Sequence, residues 1–343
     1  MIETLTSRKL AVRVAVCLAV LAAVMCGCAL FGTQRISLAK VFSGPDAVTG
    51  RNTDYEIFVH VRLPRVCLAA LVGAALACCG VVLQAILRNP LADPYILGIS
   101  SGAGLGVVVA VLFGASWSFC GGSAISVLAF AGALATVWLV WAVGRLAGQS
   151  QVTSLLLAGV VVNAFFSSVI MFLTSIAASH QLRSTTLWLM GNITEKDPSV
   201  LGLGAFCILA GITALFTTTH RLNVLTFGDQ EARTLGVDPA RVRLAAFAVT
   251  AFIAAVAVSL SGLIGFVGLV VPHAVRLTLG PDHRQLLPLS AICGATFLVI
   301  ADTLARTMIA PDQLPVGVIT AMAGGPFFLV LLAKYTKKVG WLK

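Results

Sequence analysis

The chain has 343 residues, of which 59% are hydrophobic and only 10% are charged, and its formal net charge is +10 at pH 7. A soluble domain normally carries about 25% charged residues, so this composition excludes a water-soluble globular protein. Uncharged stretches of about 20 apolar residues, the length at which an α-helix spans the hydrocarbon of a bilayer, recur along the sequence. We therefore predict an all-α, polytopic integral membrane protein that forms a single transmembrane domain over residues 1–343.

Apolar segments predict ten spans in chain order. Five segments fit one span each: 14–34, 66–87, 198–219, 285–301 and 313–333. Segment 94–144 carries no charge and is long enough for two spans hinged at "FGASWSFCGGS", and segment 146–182 holds one span plus a loop. Segment 244–280 is expected to hold two spans separated near residues 259–265. Because this last separation is weak, nine spans is the alternative.

The stretch "RNPLADPYILGISSGAGLG" combines two prolines with four closely spaced glycines. Pro90 and Pro94 are expected to end one helix and begin the next, with Asp93 as the cap. Four glycines are then predicted to lie inside the third span: Gly98, Gly102, Gly104 and Gly106. Small residues four apart allow helices in a bilayer to approach closely, so this stretch predicts a packing face.

The distribution of Lys and Arg predicts the orientation. With a cytoplasmic N-terminus and ten spans, about two thirds of the 23 basic residues fall on the cytoplasmic side, as the positive-inside rule requires. Both termini are basic and both are therefore expected in the cytoplasm, which favours ten spans over nine. The net positive charge is largely an orientation signal, and no basic patch interleaved with aromatic residues indicates nucleic-acid binding.

Three arginines are expected on the outer side, where basic residues are usually sparse. Arg62 and Arg65 begin the second span within "VRLPR", and Arg306 stands at the outer end of the ninth span. Two interpretations remain open from the residues alone. Arginines at helix ends commonly extend toward the headgroups, whereas three together also suit a docking surface for acidic groups.

One inward-facing connection, residues 219–243, is predicted to be long. Its stretch "GDQEARTLGVDPARV" predicts two short helices, the first beginning near Asp229 and ending at Gly236. The second is expected to follow Asp238, with Pro239 at the first helical position. A short helix with a few apolar side chains either lies on the membrane face or enters a groove of a cytoplasmic partner, and the two interpretations carry equal weight.

Several chemistries are missing from the sequence. There is no G-x-x-x-x-G-K-[ST] motif, so the chain is not expected to hydrolyse a nucleotide. The histidines and cysteines show no metal-ligand spacing, so we expect neither a metal site, nor a cofactor, nor enzymatic activity. An ion-coupled secondary transporter is the alternative function, but it normally needs buried ionisable groups. Asp302 is the only acid near a span interior.

Sequence blocks from residue 60 onward resemble a known family. The first are "RLPR" (62–65), "LVGAALACCGVVLQAILRNPLADPYILGISSGAGLG" (71–106), "LLLAGVVVNAFFSS" (155–168) and "LWLMGNI" (187–193). The others are "EARTLGV" (231–237), "SGLIGFVGLVVPHAVRLTLGPDHRQLLPLSA" (261–291), "ADTLAR" (301–306) and "LPVGVITAMAGGPFFLVLL" (314–332). In their order and spacing they resemble the iron-siderophore, haem and cobalamin permeases of bacterial ABC importers.

The resemblance implies an assembly in the bacterial cytoplasmic (inner) membrane. Its parts are a permease homodimer with a central path, two cytoplasmic ATP-binding subunits and an extracytoplasmic substrate-binding protein. The cargo would be a metal chelate: we expect a ferric siderophore, the broadest use of the family, and otherwise cobalamin or haem.

The resemblance also implies roles for individual residues. Arg62, Arg65 and Arg306 would dock the binding protein. The coupling helix would comprise Asp229, Glu231, Ala232, Leu235, Gly236 and Val237. The fifth span would line the path and gate with Gln149, Ser150, Gln151, Thr153, Ser154 and Asn163.

Overall fold

A computed structural model describes residues 6–34, 36–43, 52–119, 122–146, 151–194 and 197–340. The first helices are α1 (Ser7–Leu30), α2 (Leu38–Val41), α3 (Thr53–Glu56), α4 (Leu63–Ile86), α5 (Ile99–Leu112), α6 (Ala124–Leu146) and α7 (Gln151–Ser175). The others are α8 (Ser179–Leu189), α9 (Pro198–Leu225), α10 (Asp229–Thr234), α11 (Pro239–Ser261), α12 (Val267–Leu279), α13 (His283–Thr307) and α14 (Val316–Gly340). A small antiparallel hairpin, β1 (Ser118–Phe119) and β2 (Gly122–Ser123), joins α5 to α6.

The all-α membrane architecture predicted from the sequence is confirmed. Among the described residues, seven helices are long and apolar enough to cross a bilayer, and three apolar helices are shorter. The shorter ones are α5, α12 and the apolar part of α14, Val316–Val330. A π-helical stretch, Ile57–Arg62, joins α3 to α4, so that Thr53–Ile86 is one continuous helix.

The weak separation in segment 244–280 is a true break between two helices. α11 ends at Ser261 and α12 begins at Val267. Gly262 and Phe266 flank the break, and both have positive φ, at +70° and +69°. This backbone conformation cannot continue a right-handed helix, so the two helices separate here.

Helix α4 lies at the centre of the bundle, packed against α9, α11, α12 and α13. Two of its glycines set the distance to its neighbours. A Cβ atom on Gly73 would overlap the backbone carbonyl of Gly294 in α13, and one on Gly80 would overlap that of Gly268 in α12. Helices approach this closely only where small residues meet, which is the usual solution in a bilayer.

The predicted packing face of the third span is confirmed for two of its glycines. A Cβ atom on Gly102 would overlap the carbonyl of Gly132 in α6, and one on Gly106 would overlap the carbonyl of Leu128. The prediction is wrong for Gly98, which precedes α5 and has φ of +77°. There it ends a 3₁₀ turn, Pro94–Leu97, whose first residues are capped by Asp93.

The connection predicted over 219–243 is shorter than expected. α9 has 28 residues and continues to Leu225. At 1.5 Å per residue it is about 42 Å long, so it extends beyond the hydrocarbon, which is roughly 30 Å thick. The predicted second short helix is wrong: Pro239 begins α11, capped by Asp238, which accepts hydrogen bonds from the amides of Ala240 and Arg241. Only α10 stands between the two long helices.

We predict that Gly80→Ala lowers the thermal unfolding temperature of the detergent-solubilised chain. The added methyl group must separate α4 from α12, and overpacking a core typically costs about 1–3 kcal/mol. The matched control is Gly202→Ala in α9, where a Cβ atom would meet nothing within 4 Å. The control should keep or raise the unfolding temperature, and equal destabilisation by both changes would contradict the packing argument.

Candidate functional site

Charged clusters lie at the two ends of α4. We call the end that carries Arg62, Arg65 and Arg306 the arginine end, and the end that carries α10 the coupling end. α4 has 24 residues, so the two ends are about 36 Å apart along its axis. The two clusters are built differently.

At the arginine end, Asp302 holds two arginines. Nε and Nη2 of Arg65 donate to Asp302 Oδ1 at 3.1 and 3.0 Å, and Arg306 Nε lies 3.1 Å from Asp302 Oδ2. Arg65 Nη1 also donates to Gln313 Oε1 at 2.9 Å. Asp302 is 1% exposed. This pairing therefore joins the start of α4 to the last turns of α13 inside the protein.

Arg62 holds the end of α1. Its Nη1 donates to the backbone carbonyls of Ala29 and Leu30 at 3.2 and 2.6 Å, and its Nη2 donates to the carbonyl of Gln34. The last carbonyls of a helix have no partner within the helix, and a cation there is favourable. Arg62 therefore fixes α1 to the start of α4.

The three arginines are more buried than side chains on an open docking surface would be. They are 4–7% exposed, and their hydrogen bonds run to groups of the same chain. The sequence suggests charges that stand free at helix ends, because spacing alone does not reveal that Asp302 and the end of α1 lie beside them. Three guanidinium groups lie near only two carboxylates, Asp302 beside Arg65 and Arg306 and Asp54 near Arg62, so this cluster has net positive charge.

At the coupling end, Asp229 is shared by two arginines, one in α11 and one in the turn after α4. Arg243 in α11 donates from Nη1 and Nη2 to Asp229 Oδ2 and Oδ1 at 2.8 and 2.6 Å. Arg88, just after α4, donates to Asp229 Oδ1 at 2.6 Å and to the Leu225 carbonyl at 3.2 Å. The hydrogen bonds from Arg243, opposed by partial burial and aided by the charge of Arg88, lower the pKa of Asp229. Asp229 thus ties α10 to the ends of α4, α9 and α11.

The role of Arg88 is not evident from the sequence, which indicates only a charge on the cytoplasmic side. Arg88 adopts φ of +48°, a left-handed conformation that a non-glycine residue rarely takes. Such a conformation persists where the surroundings determine it. Here the surroundings include the bonds to Leu225 and Asp229, which turn the side chain back toward α10.

Helix α10 has a buried apolar residue, and an exposed leucine follows its last residue. Ala232 is fully buried, whereas Leu235 is 63% exposed. Glu231 is also exposed, Val237 is half-buried, and Gly236 ends the helix with φ of +77°. Phe227, just before α10, is exposed as well, and sequence reasoning did not single it out. The feature of the sequence that could have identified it is that Phe227 is the one Phe, Trp or Tyr residue in segment 219–243. Two large apolar side chains therefore stand at the coupling end, beside a helix that is anchored from behind.

A second polar link lies at the coupling end. Asn223 in α9 donates from Nδ2 to Asp282 Oδ1 at 2.7 Å, and the backbone amide of His283 donates to Asn223 Oδ1 at 2.9 Å. Burial alone would raise the pKa of Asp282, but hydrogen bonds from Arg284 and Asn223 lower it to about 2. The carboxylate therefore stays ionised and joins α9 to the turn between α12 and α13.

The residues predicted for the translocation path are only partly described. Gln149 and Ser150 lie outside the described residues, and Gln151 and Thr153 are described only as backbone in α7. Ser154 and Asn163 are half-buried. Four large apolar side chains of α7 are exposed near them: Leu157, Val160, Val161 and Phe165. α7 therefore presents an apolar face that must contact lipid or another protein chain.

Among the described residues, no three or more His, Cys, Asp or Glu side chains are grouped as they would be to hold a metal ion. The charged groups identified above are instead paired with one another across helices. These ion pairs connect helices to one another.

Comparison with known proteins places these features in context. The FecCD transport family matches residues 18–334. The hemin transport system permease protein of Yersinia pestis is 42% identical over 287 residues, covering 82% of this chain and 84% of that protein. The cobalamin import system permease protein of Halobacterium salinarum is 43% identical over 296 residues, covering 86% and 78%. A solved metal-chelate type ABC transporter in an inward-facing conformation has a TM-score of 0.80 at 30% identity, covering 95% of this chain and 99% of that one.

We predict that Asp229→Asn loosens α10 and speeds trypsin cleavage after Arg233 in the detergent-solubilised chain. The ion pairs of Asp229 are partly exposed, and such pairs contribute up to about 1 kcal/mol, which corresponds to roughly fivefold faster cleavage. Glu231→Gln is the control, because it removes the same charge from the same helix at an exposed position. Equal cleavage rates for the two variants would show that Asp229 does not anchor α10.

Proposed function

The chain belongs to the FecCD transport family, and from this premise we propose that it forms the membrane path of a binding-protein-dependent importer of metal chelates. It is a permease subunit of an ABC transporter and not an enzyme, since ATP is hydrolysed by a separate subunit in these systems. An ion-coupled transporter is not favoured, because the similar proteins are ABC permeases. The observation that carries the proposal is the short helix α10, which is followed by the exposed Leu235 and whose Asp229 binds Arg243 in α11 and Arg88 just after α4.

The coupling end is proposed to receive the ATPase. Leu235 and Phe227 would enter a groove of that partner, in the way that short amphipathic helices bind apolar grooves. Movement of α10 would pass through Asp229 to Arg88 and Arg243, and from them to the ends of α4 and α11. Because Ala232 on the inner side of α10 is buried, α10 would stay in contact with the bundle when it moves.

The arginine end is proposed to receive the substrate-binding protein. The cluster of Arg62, Arg65, Arg306 and Asp302 has net positive charge, and acidic side chains of a docked partner would complement it. We propose that these acids take over hydrogen bonds that Arg62 gives to the carbonyls at the end of α1 and that Arg65 gives to Gln313. Because the arginines are buried, docking would require a small rearrangement of the residues at the arginine end.

The path itself is proposed to lie along α7, between two copies of the chain. The exposed apolar face of α7 with Ser154 and Asn163 would line a weakly selective passage. Such a passage suits a bulky chelate whose selection rests on the binding protein. A ferric siderophore is our first candidate, followed by haem and cobalamin, and uptake of each labelled chelate into vesicles containing the complete transporter distinguishes them.

The proposal fixes an orientation in the cytoplasmic membrane of a bacterium. The coupling end and both termini would face the cytoplasm, where the ATPase resides. The arginine end would face the opposite side, where the binding protein arrives. This agrees with the positive-inside distribution of Lys and Arg in the sequence.

We predict that Leu235→Gln strongly reduces co-purification of the ATPase subunit and uptake of the chelate. Replacing an exposed apolar anchor by a polar side chain of similar size removes its burial in the partner, which is worth about 1.5–3 kcal/mol for a leucine. Gln230→Glu is the control on another side of the same helix, given 3.6 residues per turn. Normal ATPase association in Leu235→Gln would contradict the coupling role of α10.

We predict that Arg62→Gln weakens binding of the substrate-binding protein to the reconstituted transporter by about tenfold, because a hydrogen bond to a charged group contributes about 1.5 kcal/mol or more. Basal ATPase activity should persist, because α10 lies at the other end of α4. Binding is measured by surface plasmon resonance on the permease–ATPase complex in nanodiscs, and Arg62→Lys should restore part of it. Arg183→Gln removes an exposed arginine elsewhere, and an equal loss in that variant would show that general surface charge, and not this cluster, attracts the partner.

A further inference from the structure

We propose that a cavity at the coupling end, here called the rim cavity, binds the headgroup of an anionic phospholipid such as phosphatidylglycerol. The rim cavity has a volume of about 240 Å³ and lies between α4, α6, α7 and α11. Its apolar walls include Leu87, Trp141, Leu155 and Phe247, and its basic side is formed by Arg241 and Arg243. Arg243 also pairs with Asp229 in the coupling route proposed above, but no role proposed above places a ligand in this cavity.

The position of the rim cavity matches the depth of lipid headgroups. Its lining comes from the last residues of α4, the end of α6, the first turns of α7 and the first turns of α11. These are helix ends, where the hydrocarbon of the bilayer gives way to the polar interface. A tryptophan such as Trp141 is typical of that level, because its ring is apolar and its N–H is polar.

The rim cavity also continues into a surface that faces outward. Leu244 on its edge is about half exposed, and Trp138, one turn before Trp141 in α6, is exposed as well. An acyl chain lying on this apolar surface would bring its glycerol and phosphate to the cavity. This continuity favours a lipid over a soluble anion, which would leave the apolar walls in contact with water.

The charges around the rim cavity favour an anion. Arg88, Arg241 and Arg243 are paired with only two carboxylates, Asp229 and Asp238, so this group carries a net charge of about +1. The side chain of Arg241 is 89% exposed. The Nε–H of Arg243 is buried and has no hydrogen-bond partner among the described residues.

Both arginines retain donors for a phosphate group. Arg241 uses Nε toward Asp238, and Arg243 uses Nη1 and Nη2 toward Asp229. A guanidinium has five N–H donors and binds phosphate with two parallel hydrogen bonds. Basic pockets between transmembrane helices on the cytoplasmic side are common sites for anionic lipids.

The test measures phosphatidylglycerol that remains bound to the full-length chain by native mass spectrometry. The chain is extracted from vesicles of phosphatidylcholine and phosphatidylglycerol, and retention of each lipid is compared. We expect phosphatidylglycerol to be retained preferentially, and Arg241→Gln to weaken retention about fivefold, the factor expected for one basic residue at a membrane surface. Arg221→Gln is the matched control, since Arg221 is an exposed arginine near the end of α9 that does not line the cavity.

A second variant tests the apolar half of the rim cavity. Leu244→Trp keeps both arginines and should block the mouth of the cavity, so it should also reduce retention. Unchanged retention in Leu244→Trp, equal losses in Arg221→Gln and Arg241→Gln, or no preference over phosphatidylcholine would each overturn the proposal. Displacement of the lipid by excess inorganic phosphate would overturn it as well, because the site would then recognise a free anion.

Discussion

The close contact of α4 with its neighbours is the constraint on which the rest of the structure depends. In a bilayer the lipid is as apolar as the helices, so burial of apolar surface does not by itself drive helices together. Gly73 and Gly80 instead let the backbones of α13 and α12 touch α4 directly. Because α4 is central and closely packed, whatever is attached to its ends is held in a fixed relation across the membrane.

The packing around α4 brings charged groups from different parts of the chain together at its two ends. Arg65 at the start of α4 reaches Asp302 in α13, and Arg88 beyond its end reaches Asp229 in α10. Both partners are distant in sequence and become neighbours only because the helices converge on α4. The apolar centre therefore separates two polar clusters and also determines which residues meet in each of them.

The sequence predicts the fold class well and the polar contacts poorly, for a physical reason. Hydropathy reports the apolar length of each helix, so segments 94–144 and 244–280 are correctly divided into two helices each. Small-residue spacing likewise predicts the face formed by Gly102 and Gly106. Helix ends such as Leu225 are not predicted, because a helix can continue beyond the hydrocarbon without an apolar signal. The pairing of Asp302 with Arg65, and of Asp229 with Arg88, depends on how helices far apart in the chain come together, which periodicity does not encode.

The two clusters differ in how easily their polar contacts can rearrange. Asp302 is 1% exposed, and separating a buried carboxylate from its partners would leave an uncompensated charge, a cost of about 3–5 kcal/mol. Asp229 is 41% exposed at its side chain, and exposed ion pairs contribute only about 0–1 kcal/mol, so its contacts can exchange with water. The contacts of Asp302 are therefore harder to break than those of Asp229, which lie partly in water. A relative movement of helix ends would therefore meet less resistance around Asp229 than around Asp302.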